Sequence, residues 1–555
     1  MIPSAVFVFL SIVLFQKDLA SVSGYRILVL SPITSPSHTN FFKPVVRELA
    51  ERGHQVTYWN GLKTSNDVRN NKTNLEILYS HEMERFNSDH NMRFDDQNAM
   101  LTLLTFPRRA ELYCKILVQD PIYHQLRNST KRYDLIIMES FFNECALPLV
   151  RKFGVPFVYM MGLAPSPWLL DALGSSIAFD HVPHSGSNYR NEMNLWQRTY
   201  NTFSWMVILY FYRFFVMPAF ERHSFEMLKL ENQSFVMETE REYLSLAIVN
   251  THFSINYQYP TSPAVIQAGG LQCVPPKPLP RDLESFVDGS GDAGFIIVSF
   301  GSILRGIDMP VNVRSLFLST FAKLPQRILW KWEEPPGEDE MIPPNVKLLP
   351  WMPQQDLLGH PKIRLFITHG GLFSIQEAVY HGVPFIALPV FSDQPINAQK
   401  ADDDGYAIRL DWDNLTEEIL FNAIQRILSD PRLMVFTLCS TFSHTNHSFI
   451  CAVCWFIHYR YEERIEQVSA VMRDQIDSPL ERAVYWIEYV IRHRGAPHLR
   501  AASRKLSLFQ RSLFDVTLVV VIVGFLALYA VLILLRRFSD KVEKPKKVKA
   551  SKKKN

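Results

Sequence analysis

The chain has 555 residues, 47% of them hydrophobic and 20% charged, with a formal net charge of +3. That length holds two domains and some accessory segments. The near balance of charge argues against a nucleic-acid partner, and six cysteines over this length argue against a disulfide scaffold.

Taken in chain order, Ala5 to Phe15 is an apolar run too short to span a bilayer but suited to a signal-peptide core, with small residues Ala20, Ser21 and Ser23 beyond it. Residues 1–23 therefore read as a leader, although no Lys or Arg precedes the run. Arg26 to Leu30 reads as a first strand, followed by a loop carrying Pro32, Pro36 and His38, a helix from Asn40 to Arg52 and a strand from His54 to Trp59. This is a βαβ unit of the doubly wound kind. Later strands are expected at Asp134 to Met138, Val155 to Tyr159, Ala247 to Thr251 and Ala264 to Gly270, which makes residues 24–274 one α/β domain. Residues 163–230 are rich in aromatics. Arg213 and Pro218 argue against a full membrane span there, and packed helices are the favoured reading over an apolar mouth.

A Pro-, Gly- and Asp-rich stretch, residues 275–294, reads as a linker. It contains Gly289, Gly291 and Gly294 in the spacing of a dinucleotide fingerprint. The stretch precedes a strand and opens no helix, so the redox reading fails on context. A second α/β domain, residues 295–510, opens with Phe295 to Phe300 and continues with strands at Arg327 to Trp332, Val346 to Leu349, Leu365 to Thr368 and Pro384 to Leu388.

The most informative block runs from Trp351 to Gln399. A buried strand ends at Thr368, and His369-Gly370-Gly371 then breaks it. A helix from Phe373 to His381 follows, closed by Gly382 with Pro384 beyond. The free backbone N–H groups of such a helix start suit a diphosphate, with the Ser374 hydroxyl and His369 beside it. Glu377, one turn further in, is placed to reach ribose hydroxyls.

This block resembles the signature of the UDP-glycosyltransferases, specifically the membrane-bound animal type with an arthropod-like cast. The resemblance covers nearly the whole chain. It implies a GT-B-like α/β fold, two facing doubly wound Rossmann-like domains with the ligand cleft at the C-terminal ends of their strands. It implies that Trp351 and Gln354 stack on and bond the uracil, that Asp393 and Gln394 face the sugar hydroxyls, and that Ser302 helps to meet the charge of departing UDP. The segment around His38 is similar to the one carrying the family's catalytic histidine, so His38 is the expected general base. The family has Asp after the strand that here reads DLIIM; this chain has Glu139, with Glu144 as the alternative partner. UDP-sugar is the co-substrate, UDP-glucose being favoured over UDP-glucuronate. The acceptors implied are small and lipophilic, of the detoxification kind, and the reaction inverts the anomeric centre. No metal and no bound cofactor is expected, and a homo- or hetero-oligomer is possible for such a chain. The competing reading is an inactive membrane-bound binding partner.

Leu433 to Arg460 departs from this pattern. Removing these 28 residues joins SDPR to YEERIEQ, the way the family runs, so the segment reads as an insertion. His444, His447, Cys451, Cys454 and His458 within it are irregularly spaced for zinc. Polar SHTNHS at its centre argues against a second span. Val516 to Leu535 is an uncharged apolar run of 20 residues, long enough to cross a bilayer. Residues 536–555 carry ten Lys/Arg against two Asp/Glu and end in Lys552-Lys553-Lys554-Asn555, which predicts a cytoplasmic tail with a dilysine-like signal for the endoplasmic reticulum. A lumenal body suits the sequons at Asn71, Asn128, Asn232, Asn414 and Asn446.

Overall fold

The computed structural model describes residues 24–63, 74–89, 99–228, 235–302, 305–334, 341–428 and 461–542. Segment 433–460, the leader, residues 543–555 of the basic tail and Asn71, Asn232 and Asn446 lie outside these. Asn128 and Asn414 are exposed, as glycan acceptors must be. The chain divides into two compact units, Met1–Arg500 and Ala501–Asn555.

Two wholly parallel sheets build the larger unit. The first joins β1 (Arg26–Ser31), β2 (Gln55–Asn60), β3 (Leu75–Leu78), β4 (Leu135–Glu139), β5 (Phe157–Met161), β6 (Leu244–Val249) and β7 (Val265–Gln267) in the order β3-β2-β1-β4-β5-β6-β7. The second joins β8 (Phe295–Ser299), β9 (Arg327–Lys331), β10 (Val346–Leu349), β11 (Ile363–Thr368), β12 (Phe385–Ala387) and β13 (Ala407–Arg409) in the order β10-β9-β8-β11-β12-β13. In both, the order reverses beside the opening strand, and that switch point is where such sheets open a crevice. Sequence alternation explains the burial. Phe295 and Ile297 of β8 point into one apolar cluster while Ile296 and Val298 point into another, so both faces are covered.

Helix α1 (Pro36–Glu51) starts earlier than its apolar pattern suggests, because Ser35 caps it and Pro36 occupies its first turn. His38 therefore stands in the first turn of a helix rather than on a loop. Helix α2 (Ala99–Gln119) is tied to the loop after β4 by a disulfide between Cys114 and Cys145, which sequence spacing did not reveal. Helix α3 (Leu195–Phe211) falls between the two readings of the aromatic segment. It buries Asn201, Ser204, Trp205 and Leu209, yet leaves Trp196, Tyr200 and Phe203 exposed.

Helices α4 (Leu372–His381) and α5 (Gln394–Asp403) follow β11 and β12. The expected extent of the second domain, 295–510, needs one correction. Helix α6 (Pro479–Arg492) packs Ala483, Val484, Ile487 and Val490 into the apolar core of the first sheet. Its Arg482 donates to the Gln267 carbonyl at 3.1 Å, and its Glu488 accepts from His54 Nε2 at 3.2 Å and Arg52 at 3.4 Å. In the smaller unit, α7 (Phe514–Val542) is exposed and apolar from Phe514 to Ser539, a candidate membrane span.

Candidate active site

The first strand of each sheet delivers the site. Parallel pairing of β1 with β4 sets Ser31 and Glu139 at neighbouring strand ends. The Ser31 hydroxyl donates to Glu139 Oε2 at 2.8 Å, and the other carboxylate oxygen is hydrogen-bonded to His38 Nδ1. Glu139 is fully buried and His38 nearly so. The longer side chain does not prevent the pairing, since Glu139 reaches the imidazole directly.

Glu144 lies elsewhere. It accepts from the Tyr212 hydroxyl at 2.6 Å, and burial pushes its pKa up to about 7. It makes no contact with His38 among the described residues. Ser31 was not foreseen, because a lone serine at a strand end carries no pattern.

Burial alone would push His38 down, but the Glu139 carboxylate outweighs it, with Asp393 adding to the same side, and the pKa ends above 6.5. Asp393 thus faces His38 from the second sheet's side of the cleft. Burial raises its own pKa, opposed by the Asn397 amide, which donates to it at 2.7 Å. Gln394 Oε1 accepts from the backbone of Val390 at 2.8 Å and Phe391 at 3.1 Å, which fixes the loop that carries Asp393.

His369 lies between two glycines. A methyl group added at Gly301, where φ is +82°, would come within 2.7 Å of the ring, and one at Gly371 within 2.4 Å. Burial, with Lys331 nearby, pushes His369 down to about 4, so it stays neutral. Lys331 donates to the Gly301 carbonyl at 2.9 Å and to Glu333 at 2.7 Å, and its ammonium is 5.9 Å from the Trp351 ring. It too escaped sequence reading, as one lysine among many. Gly371 caps α4 without a side chain, so no capping side chain takes up the first-turn N–H groups.

A cavity of about 1080 Å³ joins these parts. His38, Glu139, Ser302, His369, Gly371, Ser374, Asp393 and Gln394 all line it. Trp351, Gln354 and Glu377 do not. Trp351 is an exposed ring beyond Lys331, and Gln354 donates to Glu377 at 2.6 Å. Burial raises Glu377 to about 7, with the Gln354 amide opposing. Contacts between the two sheets' side chains close the cavity: Phe373 of α4 stands 6.0 Å from the His38 ring, and buried Gln376 donates to the Asn250 carbonyl at 3.1 Å.

The model of the family described as "UDP-glucoronosyl and UDP-glucosyl transferase" matches residues 26–445 and 438–548. The chain belongs to that family. The two matched pieces of this UDP-glycosyltransferase meet inside segment 433–460. It is similar to "UDP-glycosyltransferase UGT5" of Dactylopius coccus, at 32% identity over 89% of this chain and 88% of that one. It is also similar to human "UDP-glucuronosyltransferase 2B7", at 29% identity over 91% and 92%. Among solved structures, the calicheamicin glycosyltransferase CalG4 superposes with a TM-score of 0.52 at 19% identity, covering 85% of this chain and 100% of its own. That likeness carries the GT-B fold, the expected two Rossmann-like sheets. The protein is accordingly a hexosyltransferase whose donor is a UDP-sugar.

The glycine pair gives a sharp expectation. Gly371→Ala forces a methyl group against the His369 ring. Overpacking of this kind costs about 1–3 kcal/mol, so KM for the UDP-sugar should rise roughly 5- to 150-fold. Initial-rate kinetics against donor concentration measure it.

Proposed function

We propose that this UDP-glycosyltransferase moves a hexosyl group, glucose in preference to glucuronate, to a hydroxyl of a small lipophilic acceptor by single displacement with inversion. The observation that carries the reading is the His38–Glu139 pair opening on the same cavity as Asp393 and the start of α4. His38 Nδ1 is taken by Glu139, so Nε2 receives the acceptor proton as oxygen attacks the anomeric carbon. The bond from that carbon to the diphosphate oxygen breaks, and its electron pair leaves with UDP. The first-turn N–H groups of α4, neutral His369 and Ser302 meet the diphosphate charge. Trp351 and Gln354 hold the uracil, Glu377 the ribose, and Asp393 with Gln394 the sugar.

A preference for glucose is supported by charge. Lys400 and Arg409, on the second sheet's side of the cavity, are tied to Asp404 and Asp411, while Asp393 and Glu139 are acidic. Among the described residues, a sugar carboxylate would find no unpaired cation beside them. We further propose a single-pass type I protein of the endoplasmic reticulum, with α7 in the bilayer, the catalytic domains in the lumen and a dilysine-like cytoplasmic tail. The intact acid–histidine pair supports an active enzyme over an inactive partner.

The test expresses the full chain and a version lacking 433–460 in membranes. Each receives UDP-glucose or UDP-glucuronate with phenols and terpenoid alcohols, and acceptor-dependent UDP release is followed. Release by both makes the segment a tolerated insertion, whereas release only by the shortened form makes the long chain an inactive isoform. No release and no UDP binding by either sinks the donor-site reading.

A further inference from the structure

Among the described residues, three Lys or Arg side chains line the cavity: Arg109, Lys400 and Arg409. Lys400 is paired with Asp404, and Arg409 is held by Asp411 at 2.8 Å and Gln399 at 3.0 Å. Arg109 differs. Among the described residues it has no carboxylate partner, and its guanidinium lies against the neutral Tyr113 hydroxyl. Its surroundings are aromatic. Phe106 and Tyr113 stand three before and four after it on α2, hence on the same helix face, and both line the cavity with it. Tyr113 packs on Phe86 at 5.3 Å and on Phe142 at 4.8 Å, and Phe106 on Phe142 at 5.2 Å. All of these belong to the first sheet's side of the cleft, away from Asp393 and Gln394.

A guanidinium cannot shed its charge, and a half-buried one among aromatic rings gains most from an anion that pairs with it in a planar fork. Aromatic faces and edges beside it suit a flat apolar body. We propose that Arg109 is a specificity-determining residue for acceptors with an anionic group, a carboxylate above all, on an aromatic or similarly flat skeleton, at the end remote from the hydroxyl that His38 deprotonates. This rests on the transferase reading given above and goes beyond it by naming the acceptor class. The anion is recognised and not consumed: the glycosidic bond forms at the hydroxyl, and the carboxylate leaves unchanged.

The test uses detergent-permeabilised membranes, so that charge does not limit access, and a matched pair of acceptors: 3-(4-hydroxyphenyl)propanoate and its methyl ester. Phenolic glycoside is read by mass spectrometry, and kcat/KM is compared as an acid-to-ester ratio. A charge-assisted fork predicts a ratio about 10- to 100-fold in favour of the acid. Arg109→Met should collapse that ratio by a similar factor, and Arg109→Lys should keep part of it. A second readout needs no variant. Quenching of tryptophan fluorescence, Trp168 and Trp205 being in the cavity wall, should report tighter binding of the acid than of the ester to the unaltered chain. A ratio near one in the unaltered chain, or a ratio that Arg109→Met leaves in place, overturns the proposal. So does a change in the UDP-glucuronate to UDP-glucose ratio in Arg109→Met with the acid-to-ester ratio unmoved, which would assign the cation to the donor. Failure to glycosylate any acceptor, neutral phenols included, overturns the transferase reading and this inference with it.

Discussion

Replacing His38 by alanine should lower kcat by about 10²–10⁴-fold, the usual worth of a positioned general base. UDP binding should persist, because none of the groups proposed to hold the nucleotide touches His38. The phenol or alcohol would then have to lose its proton to water while its oxygen is already committed to attack. Comparing kcat from initial rates with UDP affinity from calorimetry separates the two effects. A variant whose turnover survives within a few-fold would assign the base elsewhere.

Replacing Glu139 by glutamine should lower turnover by about 10²-fold or more, following the behaviour of carboxylates that orient a catalytic histidine. An amide at this position removes the charge that stabilises the imidazolium and permits the wrong tautomer. It should also move the pH profile in a definite direction. His38 acts as a base only when neutral, so kcat/KM rises with pH through its pKa, which stands above 6.5 because the carboxylate outweighs burial. Without the carboxylate the burial effect remains, so the acid limb should shift to lower pH even as the plateau falls. A plateau loss with an unmoved limb would mean that Glu139 holds the backbone and not the proton. The parallel change Glu144→Gln should move neither, since Glu144 answers to Tyr212.

Most of the sheet framework was legible because parallel strands buried on both faces are short apolar runs that little else in a chain produces. Runs such as Val346–Leu349 and Ile363–Thr368 show this directly. The start of α1 was missed: apolar periodicity begins only at Phe41 and drew the boundary to Asn40, whereas the Ser35 cap and Pro36 set it earlier. What the sequence concealed are contacts between distant elements. Ser31 meets Glu139 across 108 residues, and Lys331 reaches the Gly301 carbonyl from a neighbouring strand. Neither has a local pattern. The preference for Glu139 over Glu144 rested on its place at the strand's end, and the parallel register with β1 gives the physical reason. Amphipathic α6 could be read as a helix, yet no periodicity says which of two sheets its apolar face will cover.

That last helix bears on how such chains can be recombined. The polypeptide enters the second sheet and then returns to the first, so the first fold is completed by residues more than two hundred positions beyond its last strand. A hybrid made by exchanging everything before residue 274 between relatives would ask α6 of one parent to sit on the β-sheet surface of another. Val484, Ile487 and Val490 would meet unfamiliar side chains, and Glu488 could lose both Arg52 and His54. A donor fragment intended to transplant acceptor choice should therefore be discontinuous, carrying 24–274 together with 479–496.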